Sequence, residues 1–71
     1  MKITIMDIHE TDAYYPHIKQ LIGQTGTFYV VKELQNGYYQ GYFYAGSKIY
    51  INNILKPRIY FDAVNFSIVE K

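Results

Sequence analysis

Seventy-one residues, with Ile, Leu, Val and Phe at 21 positions, make one folded domain (residues 1–71) with a thin core, since a chain this short buries only about 60% of its unfolded surface. Seven Lys and Arg against six Asp and Glu give a net charge of +1, which argues against a polybasic nucleic-acid protein and against an acidic mimic. No cysteine is present to build a disulfide framework or a thiolate zinc site, and no apolar run approaches the roughly 18 residues needed to span a bilayer. The opening eight residues are too short for a secretory signal and carry Asp7. The expectation is a soluble, cytoplasmic domain with no membrane partner.

Residues 2–8 begin with an alternating Lys-Ile-Thr-Ile, the period of a half-buried strand. The polar stretch 9–13 reads as a loop. Pro16 suits the first turn of a helix, where its missing N–H costs nothing. Ile18, Leu21 and Ile22 then fall at i, i+3 and i+4 before Gly23, so the spacing predicts a short helix over residues 16–22, about two turns long. Gly23-Gln-Thr-Gly26 reads as a turn. Residues 27–34 and 38–44 are rich in aromatic and β-branched side chains and flank Asn36-Gly37. Both of those residues tolerate the positive φ that a two-residue type I′ hairpin demands. Ala45-Gly46-Ser47 reads as a second turn and residues 48–52 as a fourth strand. Pro57 excludes a central strand over 54–59. Residues 57–63 read as a single 3₁₀ turn, and the alternation over 64–69 as the last strand.

Counting outward from a two-residue loop pairs Leu34 with Tyr39, Lys32 with Gly41, Val30 with Phe43 and Phe28 with Ala45. Opposed residues share one side of the sheet. One side then carries Phe28, Val30, Leu34, Tyr39, Phe43 and Ala45, broken only by Lys32, and is assigned to the core. The other carries Tyr29, Tyr38, Tyr42 and Tyr44 among polar residues, with Tyr29 facing Tyr44 and Val31 facing Tyr42. A slip of one residue would exchange the two sides. Gly41 marks a bend. Five short strands, tight turns and a bent central hairpin predict a mainly β fold closed into a small barrel.

The order strand, loop with short helix, Gly-Gln-Thr-Gly turn, Asn-Gly hairpin, strand, one-turn helix, strand resembles an SH3-like barrel. The stretch Leu21-Ile-Gly-Gln-Thr-Gly-Thr-Phe-Tyr-Val30, followed by Gly37-Tyr-Tyr-Gln-Gly-Tyr-Phe43, is similar to segments of small phage-encoded SH3-like proteins. Over its whole length the chain resembles the YorP family of small Bacillus prophage proteins. The resemblance implies a five-stranded SH3-like barrel with one short helix between strands 1 and 2, and a phage accessory role in the bacterial cytoplasm. It carries over no functional residue, because that family's function is unknown.

No pattern points to catalysis or to a cofactor. Ser47 and Ser67 lie in no nucleophile-elbow context, and Gly23-Gln-Thr-Gly26 lacks the spacing and the lysine of a phosphate loop. Asp7, His9, Glu10, Asp12 and His17 supply oxygen and imidazole ligands, but their spacing matches no metal site, and a water-facing polar loop accounts for them. Tyr14-Tyr15 and Pro57-x-x-Tyr60 invite comparison with proline-peptide grooves, yet the chain has no tryptophan.

Two surfaces remain. The tyrosines Tyr29, Tyr38, Tyr42 and Tyr44 offer flat apolar bodies with polar tips, suited to anchoring a protein partner, although tyrosine is also simply a good strand former. Lys48, Tyr50, Lys56, Arg58 and Tyr60 interleave cations with rings, in a stretch with no acid between Glu33 and Asp62. That suits weak, salt-sensitive binding of single-stranded nucleic acid. The leading expectation is a monomeric, non-enzymatic module that binds a host or phage protein, with nucleic acid as the alternative.

Overall fold

The computed structural model describes residues 1–46, 49–51 and 53–70. The protein is mainly β, with six strands among the described residues: β1 (Lys2–Ile8), β2 (Thr25–Glu33), β3 (Tyr39–Ala45), β4 (Ile49–Ile51), β5 (Ile54–Lys56) and β6 (Ile59–Glu70). Its one short helix, α1 (Tyr15–Ile18), lies between β1 and β2. All neighbouring strands run antiparallel, and β1, β2, β3 and β6 pair in a ring that returns to β1, a closed barrel. β4 and β5 form a separate two-stranded sheet. Among the described residues no helix is long and apolar enough to cross a membrane.

The alternation of β1 buries Ile3 and Ile5, then changes phase. Met6 is an extra residue between the pairs Ile5–Phe66 and Asp7–Asn65, and Ile8 rather than Asp7 turns inward. The helix is shorter than its apolar spacing predicts, because from Lys19 to Leu21 the chain tightens into a 3₁₀ turn. That turn still buries Ile18 and Leu21 at i and i+3, but leaves Ile22 39% exposed. Gly23 then ties the helix end to β1, donating its N–H to the Ile5 carbonyl at 2.7 Å.

The Asn36-Gly37 turn has the expected positive φ at both positions, 63° and 76°, but the loop is one residue longer than expected. Leu34, not Gln35, faces Tyr38, and its N–H donates to the Tyr38 carbonyl at 2.8 Å. A bulge at Val31 adds a second shift, between the pairs Lys32–Gln40 and Val30–Gly41. Past the bulge the two slips move the register by two, so Phe28 and Tyr29 keep their expected sides with new partners; between the loop and the bulge only one slip has acted, and Leu34, expected on the core side, faces Tyr38 of the outward set. Val30 does not face Phe43; Phe28 does, and Ala45 faces Gly26. Phe28 and Phe43 are buried as expected, Tyr39 and Ala45 are partly buried against them, and Val30 is 40% exposed. The bulge also explains Lys32: paired with Gln40, it leaves the core side altogether.

The expected five strands become six because residues 54–56 pair with β4 and stop one residue before Pro57. No 3₁₀ turn follows. Ile59 and Phe61 alternate inward and open β6, a single strand that reaches Glu70. Its first half pairs with β3 and its second half with β1, which is how one strand closes the ring. The core gathers Ile3, Ile5, Ile8, Phe28, Phe43 and Phe61 inside the barrel with Ile18 and Leu21 from the helical segment, Ile49 and Ile51 from β4, and Ile59 and Val64 from β6.

Candidate interaction surface

A row of tyrosines crosses three adjacent strands. Tyr29 of β2 is in register with Tyr42 of β3, and Tyr42 is in register with Tyr60 of β6. Each sits on the outward side because its neighbours in sequence, Phe28, Phe43 and the pair Ile59 and Phe61, fill the core. The rings meet edge to face: Tyr42 and Tyr60 at 4.9 Å, Tyr29 and Tyr44 at 5.4 Å. This arrangement suits the ring quadrupoles. Tyr29 is 59% exposed and Tyr60 39%, while Tyr42 and Tyr44 are half-buried. Arg58 joins the row. Its guanidinium carbon lies 4.9 Å from the Tyr42 ring centre, and its Nη1 reaches the Tyr44 hydroxyl at 3.4 Å. Burial, and then Asp62, hold the Tyr60 hydroxyl above its usual pKa.

Beside this row lies a depression of about 270 Å³. Tyr14, Tyr42 and Tyr60 form its walls, and the buried Ile51 and Ile59 its floor. Lys56, Arg58 and Asp62 stand around it. The two residue sets that looked separate in sequence therefore converge: Tyr42 of the tyrosine set meets Lys56, Arg58 and Tyr60 of the basic set. Tyr14 joins them from the loop after β1. Tyr14 and Tyr60 both figure in the sequence comparison with a proline-peptide groove, and the Ile59-x-Phe61 alternation sets Tyr60 outward.

Neither set stays whole. Tyr38 leaves the tyrosine face. It precedes β3, at the end where β3 has crossed to the part of β6 that pairs with β1; Tyr39 and Ile8 both pair with Val64. Tyr38 thus donates its hydroxyl to Asp7 Oδ2, and its ring lies 6.1 Å from His9. That hydrogen bond raises the Tyr38 pKa. Tyr50 also stands apart, beside Pro16 and His17, because the β4 alternation turns it away from the buried Ile49 and Ile51. Lys48 lies outside the described residues.

The polar residues after β1 do not all face water. Asp12 is only 5% exposed. The pairs Gly41–Phe61 and Tyr39–Val64 leave a bulge in β6 at Asp62 and Ala63, and Asp12 Oδ2 accepts both freed amides, at 2.8 and 3.0 Å. Its other oxygen is buried without a partner. Burial raises its pKa, and the two amides oppose that shift without cancelling it. The clamp pins the loop that carries Ala13 and Tyr14 against β6, and so fixes one wall of the depression. His9 Nδ1 pairs with Thr11 Oγ1 at 2.6 Å. Among the described residues no three His, Asp or Glu side chains converge as metal ligands.

The comparisons with known proteins give no matching family model, no matching curated protein and no matching solved structure.

Proposed function

We propose that this chain is a non-enzymatic accessory module that binds another protein through its tyrosine face. The carrying observation is the register of Tyr29, Tyr42 and Tyr60 across β2, β3 and β6. Three rings held by a rigid sheet present a wide amphipathic surface at little further entropic cost, as partner-anchoring tyrosines do. Tyr44 and Arg58 extend the row, and neither is spent on the core. Single-stranded nucleic acid is the alternative, favoured by the stacking of Arg58 on Tyr42 with Lys56 and Tyr60 nearby. Asp62 in the same lining weighs against it, since a polynucleotide would bring one phosphate after another to that rim.

On the same footing, the fold is read as an SH3-like barrel of the YorP kind, acting in the cytoplasm of a phage-carrying bacterium. The ring of strands, the central Asn-Gly hairpin and the short helix between β1 and β2 support that reading.

The test is capture from bacterial lysate by the tagged chain and by a folded Tyr29→Ala, Tyr42→Ala, Tyr44→Ala variant. A discrete set of proteins held by the wild type at high salt and lost by the variant is the expected result. Identical captures overturn the reading. Binding to a single-stranded oligonucleotide that falls steeply with salt would favour the alternative.

A further inference from the structure

We propose that the depression beside Tyr42 receives one aromatic side chain of an acidic peptide segment, whose adjacent carboxylate is held by Arg58. The inference rests on the tyrosine-face reading and gives that partner its chemistry.

Size comes first. A cavity of roughly 150 Å³ accepts a benzene ring, and drug-sized ligands need about 300–1,000 Å³. The depression of about 270 Å³ therefore suits one ring with its substituents rather than a cofactor or a nucleotide. Its walls suit the same guest. Tyr14, Tyr42 and Tyr60 come from three separate segments and surround a floor of buried isoleucine, so a ring entering between them meets ring edges and faces on several sides.

Charge then selects the segment around the ring. Arg58 is pre-set: its guanidinium lies over Tyr42 and is tethered to the Tyr44 hydroxyl, which leaves other N–H donors directed elsewhere. Its pKa is raised by the two tyrosines, and no carboxylate of the described residues contributes to that shift. Lys56 stands in the same lining. The sequence holds no acid between Glu33 and Asp62, so β3, β4 and β5 offer these cations no internal partner. A guanidinium held flat with free donors is shaped for a carboxylate. Among the described residues Asp62 is the one acid in the lining. Its charge opposes a row of phosphates more strongly than a single carboxylate paired with Arg58.

The experiment titrates the isotope-labelled full chain with the blocked peptide Gly-Asp-Phe-Asp-Gly and follows amide shifts. The same peptide with Ala for Phe, a proline-rich peptide and an oligothymidylate serve as comparators. Saturable shifts at Tyr14, Tyr42, Arg58 and Tyr60 are expected, with binding about tenfold weaker for the Ala peptide and for Arg58→Gln. Lys56→Gln, whose spectrum also reports folding, should weaken binding by a smaller factor. Equal binding of the Phe and Ala peptides, no saturation at millimolar peptide, or binding by only the proline-rich peptide or the oligonucleotide overturns the proposal. The two readings fail separately. A lysate partner lost by Tyr29→Ala but kept by Arg58→Gln leaves the tyrosine face standing without this pocket.

Discussion

Arg58 lies with its guanidinium carbon 4.9 Å from the centre of the Tyr42 ring, one strand away. The contact is exposed, so its worth is small: cation–π pairs at such sites contribute about 0.5–1 kcal/mol. Arg58→Ala should lower the unfolding free energy by about that amount. Arg58→Lys should keep part of it, since an ammonium retains the charge but cannot lie flat on the ring. Urea denaturation of the three proteins checks this. A loss of several kcal/mol would mean that Arg58 holds the fold together rather than shaping its surface.

Asp12 carries more of the structure. Replacing it with alanine strips the acceptor from two part-buried amides, those of Asp62 and Ala63. Each unsatisfied donor costs about 1–3 kcal/mol, so Asp12→Ala should be among the most damaging single changes in a polar residue. Asp12→Asn keeps an acceptor oxygen and should cost less.

The same residue predicts a pH dependence. The folded carboxyl titrates above its ordinary 3.8, with burial as the main cause. Between the unfolded value and the raised folded value the native state binds more protons than the unfolded state. The Asp12 contribution to stability is therefore greatest below the unfolded value and falls as pH rises through that window. Urea midpoints measured across the acid range should show wild type gaining on Asp12→Asn as pH drops. A wild-type advantage that instead grows with rising pH would mean that the amides, not burial, dominate the carboxylate.

Gly41 is a packing requirement. A Cβ built there would stand 2.1 Å from the Tyr29 carbonyl oxygen and 2.9 Å from the Phe28 ring. Backbone cannot swing away as a flexible side chain does, so Gly41→Ala must part β2 from β3 at the bulge. The expected cost is about 3 kcal/mol. Gly46→Ala, with nothing within 4 Å of its Cβ, should be nearly silent. Similar melting temperatures for the two variants would contradict the close approach.

These residues also separate what is legible in the sequence from what is not. The inward set Phe28 and Phe43 and the outward set Tyr29, Tyr42 and Tyr44 follow from alternation alone. Their partners do not follow, because a bulge leaves no signature in composition: Val31 reads like any strand residue. Past the Val31 bulge the sides agree with the sequence reading because the longer loop and the bulge displace the register by one residue each and two such slips restore the parity, whereas Lys32 and Leu34, reached after one slip, change sides. The proline-peptide-groove comparison sets Tyr14 beside Tyr60, but their meeting with Tyr42 has no signature in the sequence. That meeting depends on Asp12 filling a bulge in a strand fifty residues away. Pro57 reads as excluding a central strand over 54–59, yet β5 forms just before it in the separate two-stranded sheet, and the same residue masks the start of β6, where Ile59 and Phe61 already alternate.

The turn offers the sharpest local test. Asn36 and Gly37 both sit in the left-handed region, at φ 63° and 76°. An L-residue other than Asn, Asp or Gly pays about 1–2 kcal/mol there. Asn36→Ala should therefore destabilise the hairpin, and Asn36→Gly should cost little or nothing, since glycine reaches that φ freely. Gly37→Ala should cost at least as much as Asn36→Ala. Its Cβ would come 3.2 Å from Asn65 Nδ2, the group that donates to the Gly37 carbonyl at 2.8 Å and ties the turn to β6. Asn65→Ala separates the two effects: it removes the tie and leaves the backbone angles alone. Thermal unfolding of the four variants should rank Gly37→Ala lowest and Asn36→Gly nearest wild type. If Asn36→Gly falls as far as Asn36→Ala, the asparagine side chain rather than the backbone angle is what the turn needs.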